Sequence, residues 1–163
     1  MMVIAGAQSL LGRALVAKLN NQNFNYLVLA DENQSDNEEW LADALYWHKV
    51  SNSDLPNWIE QNAEEIEFII CCSLITNKSK STQFNSLWKS GYQHQIPVIG
   101  IGTSEKKVKE IILDNQPPFF WTILLTENLK TKPEVSSVAQ AIYYYIRNRQ
   151  NSGLRTLDKV PSE

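Results

Sequence analysis

Short apolar runs alternate with amphipathic stretches along the whole of this 163-residue chain, and that alternation admits few folds. It is the order of repeated strand-helix units, in which each crossover helix carries the chain back to begin another parallel strand. Val3 to Ala5 is a short apolar strand, and from Leu10 to Leu19 the residues Leu11, Leu15, Val16 and Leu19 fall at helical spacing. Tyr26 to Ala30 is a second strand that ends at Asp31, followed by an acidic loop as far as Glu39. Leu45 to Val50 is a third strand, and Ser53-Asp54-Leu55-Pro56, with a polar capping residue ahead of the proline, opens a short helix carrying Trp58 and Ile59. Ile66 to Cys72 is continuously apolar, as a central strand covered on both faces should be. A loop over 77–82 leads to a helix bearing Phe84, Leu87, Trp88 and Tyr92, then to a strand from Val98 to Ile101. Ser104 caps a helix with Val108, Ile111 and Ile112 on one face, ended by Pro117-Pro118. Phe119 to Leu125 is a further strand; Ser136 or Ser137 caps a helix through Ile146 that stops near Gly153, and Leu154 to Leu157 is a last short strand. The expected fold is α/β: one doubly wound, mostly parallel sheet with helices on both faces, a single domain over 1–163.

Composition narrows the class. With 43% hydrophobic and 20% charged residues the chain builds its own core, which excludes a disordered tail, a collagen-like repeat and a small disulfide-stapled scaffold. Its longest apolar run, Phe68 to Ile75, falls far short of the about 20 residues that span a bilayer. Met1 to Gly6 reads as a first strand, with no basic start or cleavage site of a signal peptide, so a cytoplasmic location and no membrane partner are expected. Cys71 and Cys72 are adjacent, where a bridge would be strained, and are expected to be free buried thiols. They and the isolated His48 and His94 lack ordinary metal-ligand spacing, so no metal site is predicted. Residues 1 to 75 hold 3 Lys/Arg against 11 Asp/Glu and residues 76 to 163 hold 12 against 7, opposite faces without the Arg and aromatic clustering of a nucleic-acid surface.

One motif carries chemistry. The first turn, Ala5-Gly6-Ala7-Gln8-Ser9-Leu10-Leu11-Gly12-Arg13, joins a strand to an amphipathic helix, and a helix N-terminus there favours a pyrophosphate through its free N–H groups and dipole. Gly6 and Gly12 hold the outer positions of a three-glycine pattern, whereas Ser9 replaces the middle one and either crowds the phosphates or donates a hydrogen bond to them. Asp31 ends the second strand, where a carboxylate accepts from both hydroxyls of an adenine ribose, favouring NAD-like over phosphorylated cofactors. The competing reading gives Gly6 and Gly12 to the turn and its packing alone, with Asp31 an ordinary loop acid. The Rossmann-like fold stands on either.

With these residues the chain resembles a shortened member of the extended short-chain dehydrogenase/reductase family, near the NAD-dependent sugar-nucleotide epimerases and reductases. Val3 to Gly12 matches that family's first turn, Asp31 its ribose-binding acid, Ile66 to Ser73 its fourth strand and cofactor-contacting end, and Ile96 to Ile99 its fifth. The resemblance implies cofactor contacts from Gly6, Gln8, Ser9, Leu10, Leu11, Gly12, Asp31 and Ser73. It also implies a Tyr acid/base with a Lys four residues later that lowers its pKa. The best counterpart of that pair is Thr103 and Lys107, and an aliphatic hydroxyl is too weakly acidic to exchange a proton near neutrality. Tyr143, Tyr144 and Tyr145 offer no Tyr-x-x-x-Lys spacing. With segments of a sugar-binding lobe also reduced, the first expectation is an epimerase-like protein without catalysis, binding NAD weakly or not at all, with a regulatory or scaffold role. Two others stand beside it. One is an active small oxidoreductase or epimerase using Thr103, Ser104 and Lys107. The other is an interaction module, as a homodimer through Trp88, Tyr92, Ile111 and Ile112 or with a further protein partner.

Overall fold

The structure is a computed structural model that describes residues 1–32, 39–75, 78–112, 119–126, 129, 131–149 and 152–156, the side chains of 78–81, 107, 110 and 111 excepted. Seven strands form one sheet: β1 (Met2–Ala5), β2 (Leu27–Asp31), β3 (His48–Ser51), β4 (Phe68–Ile75), β5 (Val98–Gly102), β6 (Trp121–Leu125) and β7 (Gly153–Thr156). Their order is β3-β2-β1-β4-β5-β6-β7 and every pairing is parallel. The expected doubly wound α/β fold is therefore what the chain adopts. The order reverses direction between β1 and β4, and in such sheets the crevice beyond the carboxyl ends of those two strands is where a ligand can enter.

Five helices cover the sheet: α1 (Leu10–Asn21), α2 (Leu55–Asn62), α3 (Lys78–His94), α4 (Glu105–Ile112) and α5 (Lys132–Arg147). On one face Leu11, Leu15, Val16 and Leu19 of α1 pack with Val138 and Ile142 of α5 over Ile4, Leu29 and Ile70. On the other, Leu55 and Ile59 of α2, Phe84 and Trp88 of α3 and Val108 of α4 cover Val3, Ile69 and Val98. Successive strand residues feed opposite cores, which is why β1 and β4 are apolar throughout.

Several element boundaries differ from expectation for identifiable reasons. The helix expected from Ser136 or Ser137 begins at Lys132, because Thr131 and Glu134 form a reciprocal capping box with Pro133 in the first turn; both serines lie inside α5. The stretch 78–82, expected as loop, is already α3, whose first turns lack the apolar residues that make a helix visible to periodicity. Asp54 makes no side-chain cap on α2; its carboxylate accepts instead from Ser51 Oγ at 2.6 Å. β3 begins at His48, three residues later than expected, and leaves Leu45, Tyr46 and Trp47 exposed before it. Trp88 and Ile112, expected on a dimer surface, are buried at 5% and 3%, whereas Tyr92 is 43% exposed and the Ile111 side chain lies outside the described residues. Pro117, Pro118, Leu157 and the loop 33–38 also lie outside them. Among the described residues no helix is long and apolar enough to cross a membrane.

Candidate functional site

The first turn leaves β1 through Gly6 at φ +74°, a conformation that L side chains rarely adopt, and a Cβ there would stand 2.7 Å from Ser73 Oγ. The N–H groups of Gly6 and Ala7 both donate to Ala30 O, at 2.9 and 3.3 Å, tying the turn to β2. Ser9 is the N-cap of α1: its hydroxyl donates to Gly6 O at 2.7 Å and accepts from Gly12 N–H at 3.0 Å. In that arrangement the Ser9 hydroxyl closes the turn and caps the helix. The N–H groups of Leu10 and Leu11 remain without a partner among the described residues, at the positive end of the α1 dipole. Ser9→Ala should cost about 1 kcal/mol of stability through the lost cap, read as a lower urea midpoint at unchanged slope.

Asp31 closes the other side. Its Oδ2 accepts from Gln8 N–H at 2.7 Å and its Oδ1 from Glu32 N–H at 2.9 Å, so the carboxylate is held at the mouth of the turn. Each oxygen keeps a further lone pair for a hydroxyl donor. Between β1 and β4 the sheet contributes a third wall. The β4–β5 register shifts between Ile70 and Leu74, and this irregularity falls within β4 on Cys71, Cys72 and Ser73.

Gly6, Ser9, Leu10, Leu11, Asp31 and Ser73 line one cavity of about 450 Å³. Six of the expected contact residues are thus brought together; Gln8 reaches the site through its N–H on Asp31, and Gly12 lies beneath it, where the turn packs on α1. Glu32, Asn52, Cys72, Leu74, Gln83 and Leu129 complete the lining and were not expected from the sequence. Thr103 is not in the described lining; its hydroxyl donates to Ile75 O at 3.4 Å. Lys107 lies in α4 with its side chain outside the described residues.

The thiols are free and buried. Burial pushes Cys71 from the ordinary 9.0 up to about 11, against a smaller lowering by its bond to Ser73 O. Cys72 is pushed well up by burial, reinforced by the neighbouring Cys71 and Asp31 charges. The folded chain therefore holds the Cys71 proton between pH 9 and 11, where the unfolded chain releases it. Through Cys71, stability present below pH 9 should fall by about 3 kcal/mol as pH rises to 11, and Cys71→Ala should make that part of the urea-stability profile shallower, leaving the share that Cys72 contributes.

All six tyrosines stand at the opposite end of the sheet. Tyr26 and Tyr46 lie just before β2 and β3, and Tyr26 Oη donates to Glu65 ahead of β4. Tyr92 lies near the end of α3, and Tyr143, Tyr144 and Tyr145 near the end of α5, with Tyr143 Oη donating to Gln22 beyond α1. In a parallel sheet helix ends and strand starts share one edge, and the cavity opens at the other.

An all-parallel sheet in this order, with a glycine turn, a helix N-terminus and a strand-end acid around one cavity, defines a Rossmann-type α/β fold. The chain has the fold of the short-chain dehydrogenase/reductase and NAD-dependent epimerase/dehydratase structures. A short-chain dehydrogenase/reductase from Veillonella parvula, solved with NADP, superposes with a TM-score of 0.65 at 16% identity over 90% of this chain and 87% of that one. The Bordetella bronchiseptica enzyme WbmG, solved with NAD and UDP, gives 0.65 at 11% over 95% and 71%. The Thermus thermophilus UDP-glucose 4-epimerase, solved with NAD, gives 0.64 at 10% over 96% and 76%. No protein-family model and no curated protein sequence matches the chain.

Proposed function

We propose that this chain binds an NAD-like dinucleotide in the cavity beyond β1 and β4, without catalysing hydride transfer, and acts as a cofactor-dependent regulatory or scaffold protein. The observation that carries the binding half is the cradle itself: N–H groups of Leu10 and Leu11 without a partner among the described residues, the Gly6 turn on the cavity wall, and an Asp31 carboxylate positioned by Gln8. Leu10 and Leu11 would hold the pyrophosphate, Asp31 the ribose hydroxyls, and Ser73 the far end of the molecule. Asp31 and Glu32 together would repel a 2′-phosphate, which favours NAD over NADP. When bound, a nicotinamide supplies a hydride acceptor or donor.

The observation that carries the non-catalytic half is the position of the tyrosines, a sheet's length from the cavity. Length carries none of it, since the chain aligns with 87% of the Veillonella reductase. Isothermal titration with NAD+, NADH and NADP+ tests the binding half, with NAD+ expected to bind at least tenfold more tightly than NADP+. No heat and no thermal stabilisation at millimolar cofactor would overturn it. Turnover of NADH with keto-sugar nucleotides, abolished in Lys107→Ala, would overturn the non-catalytic half in favour of an active enzyme.

A second reading, an interaction module, is favoured by one observation. Leu45, Tyr46 and Trp47 are exposed in succession ahead of β3, and the exposed Tyr26, just before β2, has its ring 5.1 Å from that of Trp47. Exposed apolar clusters of this kind mark contact surfaces. Sedimentation at micromolar concentration, with Trp47→Ser alongside, tests self-association there; a monomer in both cases excludes a homodimer through this edge.

A further inference from the structure

The edge of the sheet away from the cavity carries a strip of rings. Tyr26 before β2, Trp47 and His48 at the start of β3, and Trp58 of α2 follow one another in contact. Ring centroids are 5.1 Å apart from Tyr26 to Trp47 and 6.4 Å from Trp47 to Trp58, and His48 stacks on Trp58 at 5.9 Å and 25°. Trp47 is 52% and Tyr26 46% exposed, so the strip presents its rings to whatever meets this edge. Tyr26 Oη donates to Glu65 Oε2 at 3.1 Å, which sets an exposed carboxylate at the rim of the strip. The surroundings are acidic. From residue 19 to residue 75 the chain holds 11 Asp and Glu, and Lys49, whose Nζ is buried, is the sole Lys or Arg. Such a surface repels a phosphate backbone or an anionic membrane and draws a cation.

The fold itself shows what a ring beside a carboxylate holds. At the start of β4 the Arg149 guanidinium lies over the Phe68 ring, 4.4 Å from its centroid, with Nη2 3.3 Å from Glu67 Oε2. Arg13 lies over the Trp40 ring at 5.4 Å. Among the described residues no Lys or Arg does the same for Trp47 and Glu65. We propose that the strip of Tyr26, Trp47 and Trp58 docks an arginine-bearing segment of a protein partner, with one guanidinium on the Trp47 ring and its N–H groups on Glu65. Arginine suits the place better than lysine, because its planar fork stacks on a ring and bonds a carboxylate at the same time. The cavity opens at the other edge of the sheet, so docking here leaves it accessible.

Docking of this kind rests on the contact-surface reading of the same edge, and the experiment separates the two. The probe is an end-capped peptide of alternating glycine and arginine, with its citrulline and lysine counterparts. Each carries a fluorophore and is titrated with the native chain, Trp47→Ser, Glu65→Gln and Glu60→Gln while anisotropy is read. The native chain should bind the arginine peptide about tenfold more tightly than the citrulline peptide, which keeps the shape and loses the charge, and about threefold more tightly than the lysine peptide. Trp47→Ser and Glu65→Gln should each weaken arginine binding about fivefold. Glu60→Gln, in the cleft between α2 and α3 and outside the strip, should change it by less than about twofold. Circular dichroism melting of each variant confirms that it is folded. Equal binding of the arginine and citrulline peptides overturns the proposal, and so do equal losses in Glu60→Gln and Glu65→Gln, since net charge alone would then hold the peptide. If no peptide binds and the native chain sediments as a dimer that Trp47→Ser dissociates, a second copy covers the strip, and the contact-surface reading survives without arginine docking. If no peptide binds and the native chain is a monomer, both fall.

Discussion

Gly12→Ala is expected to destabilise the chain by about 2 kcal/mol or more, although the same change in an exposed helix usually stabilises. Alanine gains about 1 kcal/mol over glycine from helix propensity alone. Here the added Cβ would stand 2.3 Å from Gly6 O, 2.6 Å from Ala7 O and 2.7 Å from Ala7 C. Those are backbone atoms of a turn whose N–H groups are tied to Ala30 O, so no side chain can swing aside. Overpacking of that severity costs about 3 kcal/mol, which outweighs the propensity gain. The turn must open, and with it the N–H groups of Leu10 and Leu11 leave the cavity, so cofactor binding should be lost as well. Urea denaturation read by tryptophan fluorescence checks the first effect and titration with NAD+ the second. A stability within about 0.5 kcal/mol of native would show that the turn yields without cost.

The second large effect is expected at Asp31. Asp31→Ala should weaken NAD+ binding at least a hundredfold and lower stability by about 2 kcal/mol, because Gln8 N–H loses a charged acceptor at 2.7 Å. Asp31→Asn separates the contributions. Its carbonyl oxygen still accepts from Gln8 N–H, so stability should recover while much of the affinity loss persists. Unchanged NAD+ affinity in Asp31→Ala would remove Asp31 from the ribose site.

The sheet was legible in the sequence because each strand and helix declares itself over a few residues. Val3 to Ala5 and Ile66 to Cys72 are apolar without interruption because both faces of β1 and β4 are covered, and Leu11, Leu15, Val16 and Leu19 recur at helical spacing because one side of α1 is buried. Where the local signal was weak, the boundaries moved. The first turns of α3 carry only polar residues, and the start of α5 is set by the Thr131-Glu134 box and not by Ser136 or Ser137. Within the site, Gly6, Ser9 and Asp31 were legible because the turn chemistry and the strand end lie within 26 residues of one another.

The remainder of the site had no such local mark. Cys71 and Cys72 read only as buried thiols, yet Cys72 and Ser73, at the register shift within β4, line the cavity. Asn52 and Gln83 are unremarkable residues in polar stretches, and only the packing of α3 beside the sheet puts both on the lining of the cavity. The six tyrosines likewise gained meaning from topology, which sets them at the edge where strands begin. By itself the sequence determined the alternating strands and helices, the glycine turn and the acid that follows it, because periodicity, turn geometry and capping act between near neighbours. The tertiary structure alone decided which residues share the cavity, because the order β3-β2-β1-β4-β5-β6-β7 joins segments far apart in the chain through parallel crossovers that no local pattern encodes.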